Sequence, residues 1–195
     1  MRTFSVLGIF FVMAAVSGCS GESADDSRRA AEDLLLNTAM QNTPFISEGI
    51  QLPEFVNADA AELKAEEPVI GVVANGISRA YSIKAMSGMS SHVVNDVVGT
   101  TPVSITYCDR TACARAFTDD TPGQPISLAV GGFSDDEMLV RFRKQMYKQS
   151  SPDIPLTEHE CQITTWQEWL EQHPDTKVLT TMSSAQEPDD AAAPN

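Results

Sequence analysis

From Thr43 to Thr181 the apolar residues fall mainly into short runs of β-branched and aromatic positions, broken by Gly, Asn, Asp and Pro. That pattern predicts strands joined by turns. Val69-Ile70-Gly71-Val72-Val73 and Ser78 to Ile83 flank Asn75-Gly76, the dipeptide best suited to the positive φ angles of a type I′ turn, and predict a hairpin. His92 to Val98 and Pro102 to Cys108 surround Gly99-Thr100-Thr101 and predict a second. Further strands are expected at Ala114 to Thr118, Ile126 to Val130, Met138 to Phe142 and Lys177 to Thr180. Thr165 followed three residues later by Glu168 is a capping box, so a helix with Trp166, Trp169 and Leu170 on its apolar face is expected before Pro174. The fold class is α+β: β-rich, with a mostly antiparallel sheet built from hairpins and a C-terminal helix.

The second hairpin concentrates the chemistry. With a three-residue loop, Val98 pairs with Pro102, which sets His92 directly opposite Cys108 and gathers His92, Val94, Asp96, Ser104, Thr106 and Cys108 on one face. A two-residue loop shifts the register by one, pairs His92 with Tyr107 and turns Cys108 to the other face. A His beside a Cys is compatible with a soft-metal site, a His-activated thiolate or a polar hairpin end. Asn95-Asp96 also reads as a pair that turns the backbone through side-chain hydrogen bonds.

The N-terminus adds an address. Phe4 to Val16 is apolar behind Arg2, but shorter than the roughly 20 residues a membrane-spanning helix needs, and reads as the core of an export signal. It ends in Val16-Ser17-Gly18-Cys19, which resembles the lipobox of bacterial lipoproteins; in that family Cys19 carries the lipid and becomes the mature N-terminus. Ser20 in the next position resembles the outer-membrane sorting pattern of a host with two membranes. The expected division is a signal peptide at 1–18, a tether and short helix at 19–42, a globular domain at 43–182 and a disordered acidic tail at 183–195. Met86 and Met89 are read as loop residues in a Ser/Gly-rich segment. The net charge of −14 makes nucleic acid and anionic lipid headgroups poor partners.

Assigning Cys19 to lipid leaves Cys108, Cys113 and Cys161, an odd number in an export setting where disulfides are permitted. A Cys108–Cys113 bridge closing the Asp109 to Ala112 loop leads, with pairing of Cys161 to either partner, free thiols or metal ligation as alternatives. His92, Cys108, Cys113, His159 and Cys161 supply soft and borderline donors suited to copper or zinc, with His92 and Cys108 as the nominated metal pair. His173 before Pro174 is read as a helix-end cation. No Gly-rich phosphate loop, Ser-centred elbow or His-Glu-x-x-His helix occurs.

Arg79-Ala80-Tyr81, His92-Val93-Val94-Asn95-Asp96, Gly99 through Cys108, Thr164-Thr165-Trp166 with Trp169, and His173 through Leu179 together resemble the domain of unknown function 3179 family. The resemblance implies an extracytoplasmic bacterial domain whose characteristic polar features are the His-x-x-Asn-Asp and Tyr-Cys elements. Family members often carry Cys-x-x-Cys, whereas Cys108 and Cys113 here stand five apart. The expected role is a lipid-anchored binding module of the cell envelope, with His92, Asn95, Asp96 and Cys108 at its site. The alternatives are an interaction lipoprotein with a Cys108–Cys113 disulfide and no metal, and a thiol enzyme in which Cys108 is the nucleophile, His92 the base, and Asp96 or Asn95 the orienter.

Overall fold

The computed structural model describes residues 46–88, 90–134 and 136–181. The expected signal, tether, first helix, acidic tail and Met89 lie outside the described residues. Thirteen strands follow in chain order: β1 Ile50–Gln51, β2 Val56–Asn57, β3 Pro68–Ala74, β4 Ile77–Ser82, β5 Val93–Val98, β6 Thr101–Cys108, β7 Cys113–Thr118, β8 Ala129–Ser134, β9 Glu137–Phe142, β10 Gln145–Lys148, β11 Thr157–His159, β12 Cys161–Thr165 and β13 Lys177–Leu179. Among the described residues two α-helices, α1 Ile83–Met86 and α2 Trp166–Gln172, and a 3-10 turn at Ala58–Ala60 join them.

The strands form three sheets: β12-β3-β4-β13-β2 (outer), β1-β5-β6-β7-β11 (central) and β10-β9-β8 (cover). Neighbours are antiparallel except β1 beside β5 and β13 beside β4. The fold is thus β-rich and mostly antiparallel with a helix near the C-terminus, as its hairpins and capping box predict.

Alternation along β3 and β4 explains the layering. Ile70, Val72, Ala74 and Tyr81 point to the central sheet, where Val94, Val98, Val103, Ile105 and Tyr107 meet them. Val69 and Ala80 point the other way, against Trp166 and Trp169 of α2. The opposite pleat of the central sheet, with Val93, Cys108 and Phe117, packs on Leu128, Val130, Met138 and Val140 of the cover. The central sheet is therefore covered on both faces, which accounts for the near-continuous burial of β5 and β6 although Asn95, Asp96, Ser104 and Thr106 interrupt their apolar residues.

Turn chemistry sets the registers. Asn75 and Gly76 both take positive φ, 51° and 73°, and join Ala74 to Ile77 as the type I′ signal predicts. Gly71 packs so closely under α2 that an added Cβ would lie 2.2 Å from the Trp169 ring. The α2 capping box is formed: the Thr165 hydroxyl accepts from the Glu168 amide, and the Glu168 carboxylate accepts from the Thr165 amide.

Three expectations are corrected. The strand expected at Ile126 to Val130 instead spans Ala129–Ser134, since Ile126 and Leu128 are buried without ladder pairing and the register shift between Val130 and Gly132 carries the strand on. Met86 is a fully buried residue of α1 rather than a loop residue. The loop of the second hairpin has two residues: Val98 pairs with Thr101, and Gly99 takes a φ of 67°. Glycine at the first central position is the type II′ preference, and it outweighs the longer loop.

Candidate functional site

The one-residue change of register redistributes the expected site. The Tyr107 amide donates to the His92 carbonyl at 2.9 Å, so His92 faces Tyr107 rather than Cys108. Asn95, Ser104, Thr106 and Cys108 share the pleat toward the cover sheet, whereas Asp96 points to the outer sheet. Expected neighbours thus fall on opposite faces of one hairpin.

Asn95 is bonded through both polar atoms of its side chain. Its amide nitrogen donates to the Leu128 carbonyl at 2.8 Å, and its amide oxygen accepts from the Ser104 hydroxyl at 2.5 Å and the Leu128 amide at 3.3 Å. These bonds stitch β5 and β6 to the chain just before β8, satisfying backbone groups that no ladder reaches. Thr106 has a similar structural setting, because Gln149 Nε2 donates to its hydroxyl at 2.9 Å and to the Cys113 carbonyl at 3.2 Å.

Asp96 belongs to a second cluster. The Tyr81 hydroxyl donates to its Oδ2 at 2.9 Å, and the Val97 amide donates to its Oδ1 at 2.7 Å. Arg79 Nε stands 3.9 Å from Oδ2, close enough for charge attraction but beyond a hydrogen bond. Burial pushes the Asp96 carboxyl above its ordinary value, against the opposing pull of the Tyr81 and Val97 bonds and the Arg79 charge. Burial also pushes the Tyr81 hydroxyl well up, and the neighbouring Asp96 charge adds to it. Phe55 closes the cluster, with its ring 5.6 Å from that of Tyr81 and 4.9 Å from the Arg79 guanidinium carbon.

His92 sits just ahead of β5, 3% exposed, and its Nδ1 is buried without a hydrogen-bond partner. Its ring stands edge-on to Phe133 at 5.9 Å, which brings it to the end of the interior between the central and cover sheets. Arg110 lies over the same Phe133 ring at 5.2 Å and pairs with Asp136 at 3.1 Å. Phe133 is one of the exposed large apolar residues, so its ring lies between the buried imidazole and the Arg110 cation. The contribution of Phe133 and Arg110 was not legible beforehand, because the Gly131-Gly132 pair masked the strand that delivers Phe133.

Cys108 and Cys113 are directly opposed across β6 and β7, Cys108 fully buried and Cys113 half-buried. Cys108, Cys113 and Cys161 are all free thiols. Burial pushes the Cys113 and Cys161 thiols up, away from the easily ionised state of a nucleophile. The thiol-enzyme arrangement is not assembled either, since Asp96 lies across the sheet from Cys108 and Asn95 has its amide occupied.

His159 and Cys161, one residue apart, belong to neighbouring sheets. His159 ends β11 in the central sheet with Nε2 3.0 Å from the Val73 carbonyl, while Cys161 opens β12 in the outer sheet. Among the described residues no three His, Cys, Asp or Glu side chains converge as a metal site would require, so a four-ligand structural zinc site is not formed by them. His173 caps α2 and stacks on Trp169 at 4.0 Å, and both tryptophans are core residues as expected.

No curated protein and no solved structure matches the chain. A family model described as "Protein of unknown function (DUF3179)" matches residues 48–190, which include the buried hairpin, the three cysteines and the capped helix, and the chain belongs to that family.

Proposed function

We propose that this protein is a lipid-anchored binding module of the cell envelope whose ligand closes on His92. Acylated Cys19 holds it to a membrane, the outer one in a host that has two, facing an extracytoplasmic compartment. The observation that carries the reading is the His92 Nδ1, buried and without a partner. A buried polar nitrogen left alone costs about 1–3 kcal/mol, so a site that retains one is suited to a partner arriving from outside. The imidazole nitrogen is a borderline donor suited to a soft cation such as copper or zinc, whose further ligands would come with the ligand itself. Anaerobic purification followed by metal analysis tests this. Stoichiometric copper or zinc, lost in His92→Ala while the fold is retained, is expected; metal-free wild-type protein after growth with both metals refutes it.

A second reading rests on the direct opposition of Cys108 and Cys113. Directly opposed residues have Cα atoms about 4.5–5.5 Å apart, inside the range a disulfide accepts. In an oxidising compartment that bridge would staple the loop that presents Arg110, giving an interaction lipoprotein with no metal. Thiol counting on the same preparation separates the two, since the bridge leaves Cys161 as the thiol that titrates after denaturation without reductant.

A further inference from the structure

We infer that Arg79 anchors a second binding site, for the carboxylate of a small apolar acid, beneath the Leu52 to Phe55 segment where the chain passes from the central sheet to the outer one. The site is independent of His92. It rests on a mismatch in how a buried charge pair is bonded. Asp96 and Arg79 are neighbours, yet the two Asp96 oxygens accept from Tyr81 and Val97 while Arg79 Nε, buried and 3.9 Å from Oδ2, has no hydrogen-bond partner. The bond Arg79 does make is a long one, 3.4 Å from Nη1 to the Ser78 carbonyl. A guanidinium offers five donors in a planar fork that fits a carboxylate through two parallel bonds, and here that fork is largely unfilled.

The surroundings define the ligand. The Arg79 side chain is 18% exposed, so its outer end reaches solvent while its base is buried. Phe55 stacks on the guanidinium and stands edge-on to Tyr81, which provides an aromatic wall for an apolar body. The covering segment carries Leu52 at 59% exposed and at a φ of 47°, a backbone region that costs a branched residue energy, and Val56 follows at 36% exposed. The segment is held to β5 by the Leu52 amide donating to the Asn95 carbonyl at 2.8 Å. An aromatic ring against a half-open cation suits an acid with an apolar body better than inorganic phosphate.

Binding there is coupled to a proton. An oxyanion on Arg79 takes over the charge that steadies Asp96, and two anions in one desolvated cluster are unfavourable, so Asp96 takes up a proton as the ligand enters. Burial already favours that neutral form. The groups facing the carboxyl are the Tyr81 hydroxyl and the Arg79 guanidinium from β4 and the Val97 amide from its own strand, while the covering segment contributes the uncharged Phe55 ring.

Calorimetry with benzoate on the intact protein tests the site. Saturable binding is expected, several-fold tighter at about pH 5.5 than at about pH 7.5, where benzoate itself stays ionised. Arg79→Gln should abolish it, and Arg79→Lys, which keeps the charge and the fold but not the fork, should weaken it about tenfold. Asp96→Asn should bind with no pH dependence, and His92→Ala should bind as the wild type does. Absence of saturable binding to the wild type, or unchanged affinity in Arg79→Lys with circular dichroism intact, overturns the inference. A pH dependence that survives Asp96→Asn overturns the proton coupling.

Discussion

Replacing Asn95 by Ala removes the partner of three buried groups at once: the Leu128 carbonyl, the Leu128 amide and the Ser104 hydroxyl. The hydroxyl can rotate to another acceptor, but the two backbone groups are fixed between the central and cover sheets. At about 1–3 kcal/mol for each buried group left unsatisfied, the two Leu128 groups alone set a cost of about 2–6 kcal/mol. Ser104→Ala alone should cost about 1 kcal/mol, because Asn95 keeps both bonds to Leu128. The double variant should be less destabilised than the two single costs combined, by about 1 kcal/mol, since the bond between the two side chains is counted in both single costs but lost only once. Urea unfolding followed by the fluorescence of buried Trp166 and Trp169 reads all four corners of the cycle. A cost below about 1 kcal/mol for Asn95→Ala, or strict additivity within about 0.3–0.5 kcal/mol, would refute the assignment of Asn95 as a structural stitch and return it to the binding residues.

Gly71→Ala should destabilise by about 1–3 kcal/mol, because the new methyl meets the Trp169 ring at 2.2 Å and α2 must lift from the outer sheet. Thermal unfolding checks it, and an unchanged midpoint would mean the helix is not seated on that glycine. Asp96 predicts a pH profile. Its folded-state carboxyl lies above the ordinary 3.8, so the folded state holds the proton more tightly. Its contribution to stability is full below that value and declines as pH rises through the raised one. Urea midpoints across that window should fall for the wild type and flatten in Asp96→Asn; an identical slope in both would show that Asp96 is not a source of the dependence.

The local signals in the chain were the reliable ones. Asn75-Gly76 set its hairpin and Thr165 with Glu168 set α2, because in each case the residues that specify the geometry lie within one turn of it. The second hairpin was legible as a hairpin but not in register, since Gly99-Thr100 competes with Gly99-Thr100-Thr101 and only Gly99 at the first turn position resolves the competition. One residue of slip then decided whether Asp96 shared a face with Cys108 or met Tyr81. Arg79, Phe55 and Phe133 could not be placed by pattern. Each reaches its cluster through contacts between sheets, and the alternation along a strand says which face a side chain takes but not which layer covers it. The short strands β1, β2 and β11 exist through pairing with distant partners, and two or three residues carry no period to read.

The order of strands in the outer sheet has a consequence for how the chain is made. The β3–β4 hairpin is bracketed by β12 and β13, whose residues lie some way along the chain at Cys161–Thr165 and Lys177–Leu179. As the polypeptide emerges from the ribosome, that hairpin has an unpaired edge on both sides, and α2 is not yet present to cover Val69 and Ala80. Such non-local pairing is slow to form. The layer stays open until nearly the whole domain has been synthesised, so the outer sheet is the last part of the fold that can close.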